Sequence, residues 1–300
     1  MFSLPTEVQL DIFKCLSYEE LCSVKQTNLY LSDFIINSEG KLAREKFYKI
    51  SIKDIILLED VPHKLISLET GNFGFPLNEH IDEKLKNGIE KPIPLYLPYQ
   101  DSNNDIVICL TKVNNDKGRY LLELPTIITN KNDLKIVFYY LNKLFNCSFK
   151  CGYFEEFVFN PELIKLLFGK IPKKFYLRTA WLPMEYNTIG NGLKFILNHL
   201  IVSGTLIFDF LLNKDKTKYV DILFKILMSG DRFNKVDLSS NNLQKIFDLI
   251  INHIVETSED VSKMLKQINL VGYNKQLILI EKAKNIKLKI DIMCRQLFGF

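Results

Sequence analysis

Arginine is scarce in this chain. Of 39 basic side chains only five are arginine: Arg44, Arg119, Arg178, Arg232 and Arg295. Arginine makes most bidentate contacts to phosphates and base edges, so its rarity counts against nucleic-acid readout. A net charge of only +4 points the same way. The same scarcity argues against an arginine-lined pocket for phosphorylated ligands, leaving shape and apolar contact to recognise a partner. Long uncharged apolar runs are missing too. The longest, Leu200 to Leu212, is interrupted by Ser203, Gly204 and Asp209. A membrane helix needs about 20 apolar residues, so no span is expected. The first residues, MFSLPTEVQLDIF, lack a basic flank followed by an apolar stretch, so no secretory signal is visible. The six cysteines are scattered, as in reduced thiols of a cytoplasmic or nuclear protein.

Catalytic signatures are also missing. There is no G-x-x-x-x-G-K-[ST] loop and no G-x-S-x-G elbow. Gly190-Asn-Gly192 lacks the third glycine of a dinucleotide fingerprint. The four histidines form no H-E-x-x-H pair, and Cys147 and Cys151 have no second cysteine pair with which to hold zinc. Glu155-Glu156 reads as a solvated strand edge, and Lys282, Lys284, Lys287 and Lys289 as a solvated basic face. No catalytic residue, cofactor or metal is expected. What remains is ordinary globular material, 47% apolar and 25% charged.

The first fifty residues carry the clearest pattern. Leu4, Val8, Ile12 and Leu16 recur every four residues after Leu4-Pro5, giving one apolar helical face. Ser17 and Glu20 form a capping box that starts a second helix with Leu21 and Val24 on its apolar side. A third helix begins near Thr27 and carries Leu31, Phe34 and Ile35. Its continuation over 41–48 presents Leu42, Ala43 and Phe47. Such a bundle is too small to be stable alone and needs a partner surface.

These residues resemble an F-box. That family's order is Leu-Pro, a nearby Glu, Ile and Leu at helical spacing, an acidic-Leu step, then an apolar third helix. Leu4, Pro5, Glu7, Ile12, Leu16, Glu20, Leu21, Val24, Leu31 and Ile35 follow that order. Gln26 and Thr27 stand where the family usually has aliphatic residues, and Leu31 where many members have tryptophan. The resemblance implies docking on a Skp-family adaptor, and through it on a cullin, by Leu4, Pro5, Glu7, Val8, Ile12, Leu16, Leu21, Val24, Leu31 and Ile35. It implies a non-catalytic subunit that brings a substrate protein to a ubiquitin ligase.

Residues 50–133 are broken by prolines and glycines. Asp105–Leu110 and Arg119–Leu124 alternate in polarity and flank the turn-rich 114–118, which predicts a β-hairpin. Residues 92–98 read as an edge strand, with a polyproline II recognition segment as the rival reading.

From residue 134 helical stripes alternate with short apolar-x-apolar steps. The stripes are Leu134 to Phe145, Leu193 to Ile201, Val220 to Leu227 and Leu243 to Ile254. The steps begin at Phe157, Phe175, Leu206, Val236, Ile268 and Ile286, separated by 18, 31, 30, 32 and 18 residues. Their mean spacing, about 26, lies within the leucine-rich-repeat range. Phe233 to Leu243 fits L-x-x-L-x-L-x-x-N-x-L, with Phe233 and Val236 replacing leucine and Asn241 in place. The segment resembles an irregular leucine-rich-repeat solenoid.

The sequence therefore predicts an α+β multidomain chain. It comprises an all-α F-box bundle (1–48), a linker with a small β-hairpin unit (49–133), and a leucine-rich-repeat-like α/β substrate-binding domain (134–300). The function implied is substrate recognition in a Skp-cullin-F-box ubiquitin ligase. The partners are the adaptor and an unidentified substrate protein, with no nucleic acid and no membrane. The alternative is a non-ligase interaction scaffold built on the repeat domain.

Overall fold

The computed structural model describes residues 4–58, 62–66, 68, 92–97, 105–113, 118–155, 157–169, 173–184, 189–210, 219–239, 265, 267–271, 276–282 and 285–291. Three helices come first: α1 (Thr6–Lys14), α2 (Tyr18–Lys25) and α3 (Leu29–Ser38), followed by a 3-10 turn at Glu39–Lys41. Pro5 is the N-cap residue of α1. The capping box of α2 is fully formed: the Ser17 N–H donates to Glu20 Oε2 at 2.7 Å, and the Glu20 N–H to Ser17 Oγ at 3.2 Å.

The chain then enters a sheet of eleven strands. Its order is β15-β14-β13-β12-β11-β10-β8-β1-β5-β6-β2. β1 (Glu45–Asp54) pairs antiparallel with β5 (Ile106–Thr111) and parallel with β8 (Cys147–Tyr153). β5 pairs antiparallel with β6 (Arg119–Glu123), which carries the edge strand β2 (His63–Leu65). On the other side β10 (Phe175–Met184), β11 (Leu200–Phe210), β12 (Phe233–Ser239) and β13 (Gln267–Val271) add in parallel. β14 (Gln276–Lys282) and β15 (Asn285–Asp291) close that edge antiparallel. Two small sheets pair β3 (Ile93–Pro94) with β7 (Ile127–Ile128), and β4 (Tyr96–Leu97) with β9 (Val158–Phe159).

This is a mixed α/β fold and overturns the α+β multidomain expectation in three places. The N-terminal segment is not a separate all-α bundle reaching residue 48. The stretch over 41–48, read as the continuation of the third helix, is the end of a 3-10 turn and then β1, which lies deep in the sheet. Alternating Ile50 and Ile52 satisfy strand period, and two flanking strands supply the hydrogen bonds a helix would have made internally. The hairpin strands β5 and β6 belong to this same sheet rather than to a linker unit. The third correction concerns the solenoid. A solenoid stacks each unit only on its sequence neighbours. Here β1 from the N-terminal region separates β5 from β8, the Phe157 step ends in a small side sheet, and the Ile286 step runs antiparallel. Within 92–98, read as one strand, Ile93–Pro94 and Tyr96–Leu97 divide between the two small sheets. Leu200 and Ile201, read as helix, begin β11. The stripe from Leu243 and the repeat's Asn241 lie outside the described residues.

Helices α4 (Lys131–Phe145), α5 (Pro161–Phe168), α6 (Ile189–His199) and α7 (Val220–Leu227) precede or connect the parallel strands. Parallel crossovers are nearly always right-handed, so strands added in one direction place every connecting helix on the same face. One core records this. Leu141, Leu163, Phe195 and Ile226 from the four helices pack with Ile50, Ala180, Leu206, Val236 and Ile268, which face them from neighbouring strands. On the other face the described covering is the 3-10 turn Ile55–Leu58, whose Leu58 packs on Val107, Cys109 and Leu121.

The pleat turns over along one line across the sheet. Phe149, Leu177, Val202 and Phe233 are buried before it, and Gly152, Ala180, Leu206 and Val236 after it. The register shifts between Leu177 and Thr179, and between Val202 and Thr205, as bulges require. At the bulge Gly204 sits so close to β10 that a Cβ would lie 2.5 Å from the Arg178 carbonyl oxygen.

Candidate functional site

The N-terminal helices bury a small core of Phe13, Leu21, Leu31, Ile35 and Leu42, with Leu10, Leu16, Val24 and Phe34 packed around it. Phe13 and Phe34 meet with centroids 5.4 Å apart. Gln9 is buried in α1 and fastens the arrangement. Its Nε2 donates to the Leu4 carbonyl at 2.7 Å, while the Tyr30 hydroxyl donates to its Oε1 at 2.9 Å. With Gln9 and Phe13 facing inward, helical spacing turns Val8 and Ile12 outward. Leu4, Val8 and Ile12 are 38%, 44% and 40% exposed. Leu29 at the start of α3 is 84% exposed, and Tyr30 beside it 45%. Together these exposed side chains give the helical segment apolar surface that a contact could bury.

The structure divides the ten residues expected to contact the adaptor. Leu4, Pro5, Glu7, Val8 and Ile12 are exposed at or on α1. Leu16 and Val24 are half-buried against the helical core. Leu21, Leu31 and Ile35 are inside it and support the surface rather than form it. Leu29, Tyr30 and Ile36 are exposed apolar residues that the sequence reading missed. The consecutive Leu29-Tyr30-Leu31 carried the signal, because adjacent helical positions point in different directions and cannot all be buried.

Behind the helices a cleft of about 530 Å³ separates α2 and α3 from α4, lined by Tyr18, Cys22, Glu39, Glu45, Asn146 and Cys147 among others. Glu39 accepts from Lys25 at 3.1 Å and from Asn146 Nδ2 at 2.6 Å. Arg44 donates to the Phe145 carbonyl at 2.9 Å, tying the strand entrance to the end of α4. Burial, then the nearby Glu45 carboxylate, pushes the Cys147 thiol up to about 12. The same two causes push the Tyr18 phenol upward. Thiols and phenols so held stay protonated at neutral pH and are poor nucleophiles. Among the described residues no group of three or more His, Cys, Asp or Glu side chains could hold a metal ion. Among them, too, no helix is long and apolar enough to cross a membrane.

Residues 66–211, just under half of the chain, match the model of a family described as Domain of unknown function (DUF8381). That stretch takes in β3 to β11 and leaves out the N-terminal helices, β1 and β2. No curated protein and no solved structure matches the chain.

Proposed function

We infer that this chain is a substrate-recognition subunit of a Skp-cullin-F-box ubiquitin ligase. Its first helix docks on a Skp-family adaptor, and the sheet-containing body captures a substrate protein. The observation that carries this reading is the solvent-facing stripe of Leu4, Val8 and Ile12, extended by Leu29 and Tyr30, on residues whose order resembles an F-box. Burying exposed apolar surface against a partner is favourable at about 25 cal/mol per Å² before the costs of association. The chain makes and breaks no bond in this role. It raises the local concentration of a substrate lysine near ubiquitin activated on another subunit.

The test is co-purification of the full chain with a Skp-family adaptor. Wild type is expected to form a stoichiometric complex, and Val8→Asp with Ile12→Asp to lose it while keeping an unchanged urea midpoint. Failure of the wild-type chain to bind any Skp-family adaptor removes this reading.

A further inference from the structure

We propose that the face of the sheet opposite the described helices binds an extended, acidic segment of a protein partner. The line where the pleat turns over directs Tyr48, Lys150 and Arg178, on adjacent strands β1, β8 and β10, to this face. Lys150 and Arg178 are exposed although their strands are central, and the opposite face is buried under helices. Lys46 lies on the same side, as does Lys49 in register with Cys151 and Thr179. Among the described residues Lys46, Lys49, Lys150 and Arg178 pair with no carboxylate.

Among the described residues the acids of this face are few or already engaged. Glu155 lies 3.9 Å from Lys53. Asp237 lies 3.4 Å from Lys235 and accepts from Asn269 Nδ2 at 2.6 Å. Glu123 stands two strands away from β1, on β6. Among the described residues the centre of the face therefore carries unbalanced positive charge, borne on strands about 4.8 Å apart. Carboxylates spaced along an extended chain complement it.

The aromatic residues favour a peptide over single-stranded nucleic acid. Arg44 sits 3.7 Å over the Tyr176 ring, Lys49 4.3 Å over Tyr153 and Lys150 4.9 Å over Tyr48. Trp181 meets Tyr153 edge-on at 5.6 Å. Ring faces that would stack bases are thus engaged by cations, and stacking supplies much of single-strand affinity. The rings instead hold the ammonium groups in place for carboxylates. Binding itself does not depend on the ligase assignment. Only the identification of the bound segment as part of a ubiquitination substrate rests on that reading.

Fluorescence anisotropy of a labelled ten-residue polyglutamate peptide with the full chain tests the proposal. Wild type is expected to bind, with affinity falling as salt rises. Lys150→Glu with Arg178→Glu should weaken binding by about tenfold or more while the circular dichroism spectrum is kept. Lys150→Gln with Arg178→Gln should fall between the two and serves if charge reversal impairs folding. Val8→Asp with Ile12→Asp should bind the peptide as wild type does, so adaptor docking and peptide capture fail independently. The proposal is overturned if polyglutamate does not bind, if both sheet variants bind it unchanged, or if a ten-nucleotide oligouridylate binds more tightly than polyglutamate.

Discussion

His199 shows how much one side chain contributes through where it is placed. It is buried at the end of α6, and its Nδ1–H donates to the Lys173 carbonyl at 3.0 Å. Burial is the main cause holding its pKa down at about 4, although the hydrogen bond opposes the shift. The ring is neutral in the folded protein, while the unfolded chain takes a proton below its ordinary value of about 6.5. Stability from this group is therefore complete above about pH 6.5 and is lost as pH falls toward 4, on the order of 2–3 kcal/mol in all. Urea denaturation of wild type and His199→Gln at pH 4.5, 5.5 and 7 checks this. The stability difference between the two proteins should change with pH in that window and be flat above it. Phe13 belongs to the same scale. It is fully buried in a core of few residues, so Phe13→Ala should cost about 3–5 kcal/mol by the same measurement. Exposed Val8 and Ile12 should cost almost nothing when replaced, and that contrast separates support from surface.

At the scale of elements, local signals carried the helices whose ends are chemically marked. The Ser17–Glu20 box and the Asn28 cap place the starts of α2 and α3, and Asn130 accepts from two backbone N–H groups at the start of α4. Residues 41–48 carried no such mark. Leu42, Ala43 and Phe47 fit a helical stripe, yet strand pairing with residues about 60 and 100 positions away decided the outcome. The bulge in β11 was equally invisible, because a Ser-Gly pair reads as an ordinary interruption. Its purpose is a close backbone approach, so Gly204→Ala should destabilise the protein by about 1–3 kcal/mol through the Arg178 carbonyl. Thermal unfolding of the purified variant measures it, and an unchanged midpoint contradicts the assignment.

Across the whole molecule, β1 is the element that unites the chain. It supplies strand partners to β5 on one side and β8 on the other, so no subset of residues after 54 holds a complete sheet. A fragment of residues 134–300 would expose the edge of β8 where β1 belongs. That fragment is expected to aggregate or unfold without cooperativity, and a sharp two-state denaturation curve for it would show that it folds independently. The same topology produces the open face. Stepwise addition of parallel strands puts the described connecting helices on one side, so that among the described residues the lysine-rich side is covered only by the 3-10 turn Ile55–Leu58.

The sequence by itself determined the capped N-terminal helices, the exposed-stripe periodicity of Leu4, Val8 and Ile12, and the strand character of the apolar steps. Each of these depends on neighbours within a few residues, where propensity, capping and period act. Only the tertiary structure decided that β1 enters the sheet and that the apolar steps do not build a solenoid. It alone divided the residues expected to contact an adaptor between surface and core, and gathered Lys46, Lys49, Lys150 and Arg178 on one face. Those outcomes rest on pairing between distant strands, whose hydrogen bonds and buried area outweigh local preference and leave no local trace in the chain.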